Sequence, residues 1–251
     1  MIDVAAYLAR IGYTGPTAPN AETLRSVHRS HMLAVPFENL DISAKRLIVC
    51  DEERFIRKIV KERRGGFCYE LNGAFAALLR ALGFKVTLLS ARVPRGESGD
   101  GPEFDHLALH VDLAEPWLAD VGFGDSFLEP LRLTPGIEQE QAAGKFRIQL
   151  RRHGELVMQR LDANSGGWRA QYVFTLQPRN LSDFADMCHY HQTSPESHFT
   201  QKRICSLATL EGRITLSENT LIVSRNGKRE ERSVTQQERM ATLKEYFGVS
   251  L

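Results

Sequence analysis

The chain has 251 residues, 42% hydrophobic and 25% charged, and its 32 Lys and Arg against 31 Asp and Glu give a formal net charge of +1. These proportions exclude a disordered, collagen-like or coiled-coil chain, and the length is ample for a sizeable core in one or two domains. No basic excess points to nucleic acid, and the charged stretch 225–232 mixes signs, with Lys228 and Arg229 before Glu230 and Glu231, as a solvated surface turn does.

The first elements read as helices. Val4, Tyr7, Leu8 and Ile11 share one helical face over 3–11, and Gly12, Gly15, Pro16 and Pro19 break it. Asn20 is a candidate N-cap for the next helix, with Leu24, Val27, His28 and His31 at helical spacing. Val35 must leave the helix because the residue before a proline disfavours the helical region. Residues 51–63 form an amphipathic pattern with Phe55, Ile56 and Val60 inward, ended by Gly65 and Gly66. A third stripe, Leu71, Phe75, Leu78, Leu79 and Leu82, stops at Gly83.

After Gly83 the pattern changes to the two-residue period of strands. Strands are predicted over 84–93, 104–113, 117–123, 145–150, 156–161 and 170–176. In 104–113, Leu107, Leu109 and Val111 face one way and His106, Ala108 and His110 the other. The polar stretch 180–206 reads as helical or irregular, 213–217 with 220–225 as a hairpin, and 235–247 as a final helix. Helices, then many strands, then a mixed tail predict an α+β fold. No basic and apolar leader follows Met1, and no apolar run approaches the ~18 residues of a membrane helix, so no membrane association is expected. Four cysteines with no CxxC pair predict free thiols in a reducing, cytoplasmic setting.

Chemistry concentrates at Arg64-Gly65-Gly66-Phe67-Cys68-Tyr69-Glu70-Leu71-Asn72. A helix beginning at Cys68 would set the thiol against its N-terminal amides, which favour thiolate, and the two glycines would leave room beside the sulfur. Taken alone, such a cysteine is more often a small buried thiol. A nucleophilic cysteine needs a histidine base and a group to orient that base. His106 interrupts an apolar strand, and Asp120 lies in the next one. Direct opposition of the two would centre the connecting hairpin on Leu113. Asp105 points to the opposite face, and Asp112 is about 20 Å further along at ~3.3 Å per residue.

Together with Val35-Pro36-Phe37-Glu38-Asn39-Leu40 and Asp120-Val121-Gly122-Phe123-Gly124, this segment resembles the arylamine N-acetyltransferase family, from near residue 1 to the end of the chain. The resemblance implies a Cys-His-Asp core akin to that of cysteine proteases, with Cys68 as nucleophile, His106 as base and Asp120 as orienting acid. It implies an N-terminal helical bundle (1–83) carrying the nucleophile, a β-barrel-like domain (84–180) carrying His106 and Asp120, and a C-terminal α/β lid (181–251). Family members usually continue past the Phe247–Gly248 position, so the lid is expected to be short. Phe37 and Phe123 would line an acceptor pocket, and Gly122 and Gly124 would let a ligand approach the backbone. Acetyl-CoA is the implied cosubstrate and an arylamine or arylhydrazine the acceptor, in a ping-pong reaction through acetyl-Cys68. The expected assembly is a monomer or weak homodimer. No metal is expected, because His189, His191 and His198 near Cys188 lack zinc-site spacing. Arg64 is expected to serve structure, His110 to be a satisfied polar residue, and Cys50 and Cys205 to pack as small hydrophobes. The alternatives are a papain- or transglutaminase-like hydrolase, or an amide synthase, using the same triad, and a non-catalytic binding protein on the same scaffold.

Overall fold

In the computed structural model, which describes residues 2–251, the first two helices start where short polar side chains cap them. Asp3 Oδ1 accepts Ala6 N–H and Asn20 Oδ1 accepts Thr23 N–H, each at 2.9 Å, and α1 (Val4–Arg10) and α2 (Ala21–Ala34) follow. Val35 is extended, as its place before Pro36 requires. Next come β1 (Phe37–Glu38), α3 (Leu40–Ser43) and α4 (Glu52–Ile56), the last capped by Asp51. The predicted helix over 51–63 is not regular throughout: Arg57–Lys61 is a π-helical turn. Lys58 lies within it and points inward, where two buried carboxylates accept its ammonium. The third stripe is α5 (Cys68–Ala81), buried on every side through Leu79.

Eight antiparallel strands follow: β2 (Lys85–Arg92), β3 (His106–Asp112), β4 (Pro116–Ala119), β5 (Leu131–Arg132), β6 (Glu138–Gln141), β7 (Gly144–Leu150), β8 (Leu156–Leu161) and β9 (Trp168–Phe174). Their order is β5-β4-β3-β2-β9-β8-β7-β6. Glutamine side chains then bring the two edges together. Gln139 exchanges hydrogen bonds with the Arg132 backbone (2.8 and 3.1 Å), and Gln141 bonds the backbone of Leu128 and Glu129. The sheet is thereby nearly closed into a barrel filled by residues such as Leu89, Phe127, Phe146, Met158 and Tyr172. β3 is buried on both faces because Ala108 points into the barrel while Leu107, Leu109 and Val111 pack outward on the helices.

The rest comprises α6 (Ala185–Thr193), α7 (His198–Gln201), the strands β10 (Ile204–Thr209), β11 (Gly212–Ser217), β12 (Thr220–Arg225) and β13 (Lys228–Ser233), and α8 (Arg239–Phe247). The second sheet runs β1-β10-β11-β12-β13, so an N-terminal strand forms its first edge. Two expectations fail here. The stretch 180–206 ends in a strand, and 225–232 is not merely a turn but leads into the exposed edge strand β13. Asn226 and Gly227 both have positive φ, the backbone of a tight hairpin, so the Asn-Gly pair was the signal to read. No helix among the described residues is long and apolar enough to cross a membrane.

Candidate active site

Cys68 is the first residue of α5, and the helix start is fixed by Glu70, whose carboxylate accepts Phe67 N–H at 3.1 Å. Glu70 is buried and belongs to a charge cluster behind Cys68. Lys58 Nζ meets Asp41 (2.7 Å) and Glu70 (2.8 Å), and Arg64 meets Glu38 (2.7 Å) and Asp41 (3.1 Å). Arg64 thus serves structure, as expected. Two cations face three carboxylates, and burial pushes the Glu70 carboxyl up to about 7 against the pull of Lys58. The paired glycines do not make room beside the sulfur. A Cβ on Gly65 would lie 1.9 Å from the Pro36 carbonyl oxygen and one on Gly66 2.6 Å from Glu70 Oε2, so the pair admits the Pro36 backbone and the Glu70 side chain.

Asp120 does not oppose His106 in the ladder. β3 and β4 pair Leu109 with Ala119 and Asp112 with Pro116, so the hairpin is centred on Ala114 rather than Leu113. β4 ends at Ala119, short of the predicted 117–123, and Asp120 leaves the sheet. Its backbone N–H donates to His28 Nε2 (3.2 Å), and His28 Nδ1 donates to the Leu128 carbonyl (2.8 Å). Burial lowers His28 to about 4, which keeps its ring neutral for this accepting role. Released from the ladder, Asp120 accepts His106 Nε2 at 2.8 Å, Asn72 Nδ2 at 2.8 Å and Gly122 N–H at 2.9 Å. Burial alone would raise its carboxyl. His106, Asn72 and the Gly122 amide outweigh that and hold it below the usual carboxylate range. Asn72 lies one helical turn beyond Cys68 and also anchors Leu107 and Val121. The sequence pattern points to neither Asn72 nor His28: Asn72 lies inside the cysteine motif, whereas His28 shows only the spacing of an apolar helix face.

Cys68, His106, Phe37, Phe123 and Gly122 line one cleft of about 800 Å³. His106 and Phe123 meet edge to face with ring centres 5.2 Å apart. Gly122 is required by a close approach, since a Cβ there would lie 2.8 Å from Cys68 Cα. It therefore lets the backbone beyond Asp120 pass close to Cys68. Gly124 takes φ +91° and would set a Cβ 3.7 Å from the Phe37 ring, so its need is conformational. Burial raises the Cys68 thiol well above its ordinary value, aided by Asp120 and Asp105 and opposed by backbone hydrogen bonds from Leu107 and Tyr69. The helix start does not reverse that direction. A second hollow of about 910 Å³ lies beyond Phe123, lined by Asp125, Arg160 and Arg213, and is not lined by Cys68, His106 or Asp120.

Asp105 faces away from His106, toward Arg95 and His191. Asp112 is exposed beside Lys85. His110 is not satisfied as expected: its Nε2 is buried without a hydrogen-bond partner. Cys205 is fully buried, whereas Cys50 is half-buried. His189, His191 and His198 join no cluster of three or more metal-binding side chains among the described residues.

The family model described as N-acetyltransferase matches residues 20–251. Arylamine N-acetyltransferase 2 of Mus musculus is 34% identical over 100% of this chain and 95% of its own length. The structure of the Nocardia farcinica arylamine N-acetyltransferase superposes with TM-score 0.89 at 36% identity, covering 100% of this chain and 90% of that one. That of the Mycobacterium marinum arylamine N-acetyltransferase in complex with CoA superposes with TM-score 0.90 at 32% identity, covering 98% and 93%. With a family model over most of its length and full-length relatives above 30% identity, the chain belongs to the arylamine N-acetyltransferase family of transferases.

Proposed function

We propose that this protein transfers an acetyl group from acetyl-CoA to an arylamine or arylhydrazine by a ping-pong route through acetyl-Cys68. The observation that carries the reading is the buried His106–Asp120 pair, 2.8 Å apart, with His106 in the same cleft as Cys68 at the start of α5. The CoA complex of the M. marinum relative supports CoA as the thiol carrier. Burial opposes a free Cys68 thiolate, so a base is needed to take its proton for attack. His106 Nε2 is engaged by Asp120, which leaves Nδ1 to take the Cys68 proton. The sulfur adds to the thioester carbonyl, and collapse expels CoA sulfur, which receives that proton. One thioester replaces another, so the exchange is nearly isoenergetic. The amine then adds to acetyl-Cys68, His106 takes a proton from it, and collapse returns the Cys68 thiol and the amide. Asp120 fixes the imidazole and balances its positive charge in both halves.

Phe37 and Phe123 are the apolar walls against which an aromatic ring would lie. We read the chain as three parts, 1–83, 84–180 and 181–251, with β1 crossing into the last. One chain supplies all three triad residues, so a monomer or weak homodimer suffices. Intact mass after mixing with acetyl-CoA should show one added acetyl group on Cys68, removed by an arylamine. Varying both substrates should give parallel double-reciprocal lines. Intersecting lines, the mark of a ternary complex, would refute the route.

A further inference from the structure

The loop that carries the triad acid is closed by a side chain from outside the barrel. β4 and β5 pair Trp117 with Arg132 and Leu118 with Leu131. The same register would next set Ala119 against Pro130, which has no N–H to give, and the pairing stops. Residues 120–128 then run outside the sheet, bearing Asp120, Gly122 close to Cys68, and Phe123 on the cleft. Both ends of this loop meet His28 on α2. Its Nε2 accepts the backbone N–H of Asp120 (3.2 Å), and its Nδ1 donates to the carbonyl of Leu128 (2.8 Å). An amide N–H can only donate and a carbonyl only accept, so Nδ1 carries the hydrogen and Nε2 the lone pair. The imidazole thus stands in for a rung of the ladder that Pro130 ends.

The ring itself is held firmly. It is fully buried, stacks on Phe127 at the end of the same loop (ring centres 5.7 Å apart, planes 21° apart), and meets Phe75 of α5 edge to face. Phe75 lies on the helix that begins with Cys68, so the clamp relates the acid's loop to the nucleophile's helix. Resting on the proposed triad reaction, we propose that His28 is a positioning residue: its neutral ring clamps the 120–128 loop so that the Asp120 carboxylate meets His106. His28 touches no reacting atom and acts through Asp120. A carboxylate displaced by about 1 Å no longer holds the imidazole in line, and a misplacement of that size can cost on the order of a hundredfold in rate.

The test removes the two hydrogen bonds selectively. His28→Gln keeps an acceptor for the Asp120 amide, and His28→Phe keeps an aromatic ring with neither bond. Rapid-quench loading of Cys68 at saturating acetyl-CoA should slow about a hundredfold in His28→Phe and only about fivefold in His28→Gln. A merely structural role would leave the proton between His106 and Asp120 where it is. Its low-field NMR resonance should therefore shift in His28→Phe and stay near the wild-type position in His28→Gln. Wild type decides the matter even if His28→Phe does not fold. Heteronuclear NMR of the imidazole nitrogens should find His28 as the Nδ1–H tautomer at neutral pH, and the Nε2–H tautomer or the imidazolium overturns the proposal. So does wild-type loading in His28→Phe, or an equal loss in both variants with the His106 resonance unmoved. Failure of the underlying reading shows separately: wild type would then take no acetyl group from acetyl-CoA, while the His106 resonance would still respond to His28.

Discussion

Asp120 keeps its charge in a fully buried position because three hydrogen-bond donors converge on it: a ring nitrogen of His106, the Asn72 amide and the Gly122 N–H. An asparagine there could present the wrong group to His106 and could not balance an imidazolium. Asp120→Asn should therefore lower kcat by a factor on the order of 10⁴, the scale seen when a serine-protease triad loses its acid, with circular dichroism unchanged. Asp112→Asn, at an exposed carboxylate 3.9 Å from Lys85, should cost little. Equal losses in the two variants would show that Asp120 is not the orienting acid. The cysteines separate by the reagent used. Cys50 is half-buried with a thiol lowered chiefly by its contact with Cys188, whereas the Cys68 thiol is raised by burial. Iodoacetamide should thus label Cys50 as well as Cys68, and acetyl-CoA should mark Cys68 alone. Peptide mapping after each reagent checks both halves. Acetylation at Cys50 would break the link between the cleft and the nucleophile.

The start of α5 is where local sequence and distant structure meet. A glycine pair before an apolar stripe made the cysteine at a helix start legible, and strand alternation made His106 legible. The hairpin register was one residue off, and the carboxylate still reaches His106 because β4 ends at Ala119 and frees it. Less could be read of groups whose partners lie far away in sequence. His28 meets Asp120 across 92 residues and Asn72 meets it across 48, and neither separation leaves a local pattern. Two-residue strands such as β1 and β5 are too short to show a period. Burying Lys58 in a π-turn likewise depends on carboxylates from Asp41 and Glu70. Glu70 makes this element sensitive to pH. Its carboxyl rises from 4.5 to about 7 on folding. Between those values the folded chain holds a proton that the unfolded chain has lost, so this contribution to stability falls as pH rises through the window. At about 1.4 kcal/mol per unit the decline is on the order of 3 kcal/mol. Glu70→Gln cannot titrate, so its stability relative to wild type should improve between pH 5 and pH 7.5 in urea unfolding. Parallel stability profiles for the two proteins would rule Glu70 out as the source.

At the scale of the whole molecule, the cleft is held by one side chain that joins the two ends of the chain. Asn39 is 1% exposed, and its amide nitrogen donates to the carbonyls of Phe199 (2.9 Å) and Lys202 (2.7 Å) while its oxygen accepts Ile204 N–H (2.8 Å). Beside it β1 pairs with β10, Phe37 against Ser206 and Glu38 against Cys205. Phe37 and Phe199 are thereby held 6.2 Å apart as one wall of the cleft, although 162 residues separate them. The far end of Glu38 is anchored by Arg64, so the wall is also tied to the charge cluster behind Cys68. Asn39→Ala would strand two carbonyls and one amide. At about 1–3 kcal/mol for each buried group left unpaired, less what water recovers, stability should fall by roughly 3 kcal/mol. The functional effect should be uneven. Cys68, His106 and Asp120 sit on α5 and the barrel, so acetyl loading from acetyl-CoA should fall less than acceptor turnover, whose wall includes Phe199. Rapid-quench measurement of acetyl-Cys68 formation, set beside steady-state kinetics with an arylamine at a temperature where the variant stays folded, separates the two steps. Asn164→Ala, on an exposed turn, serves as the control. If Asn39→Ala slowed loading and acceptor turnover by the same factor, the latch would be supporting the fold as a whole and not the acceptor wall.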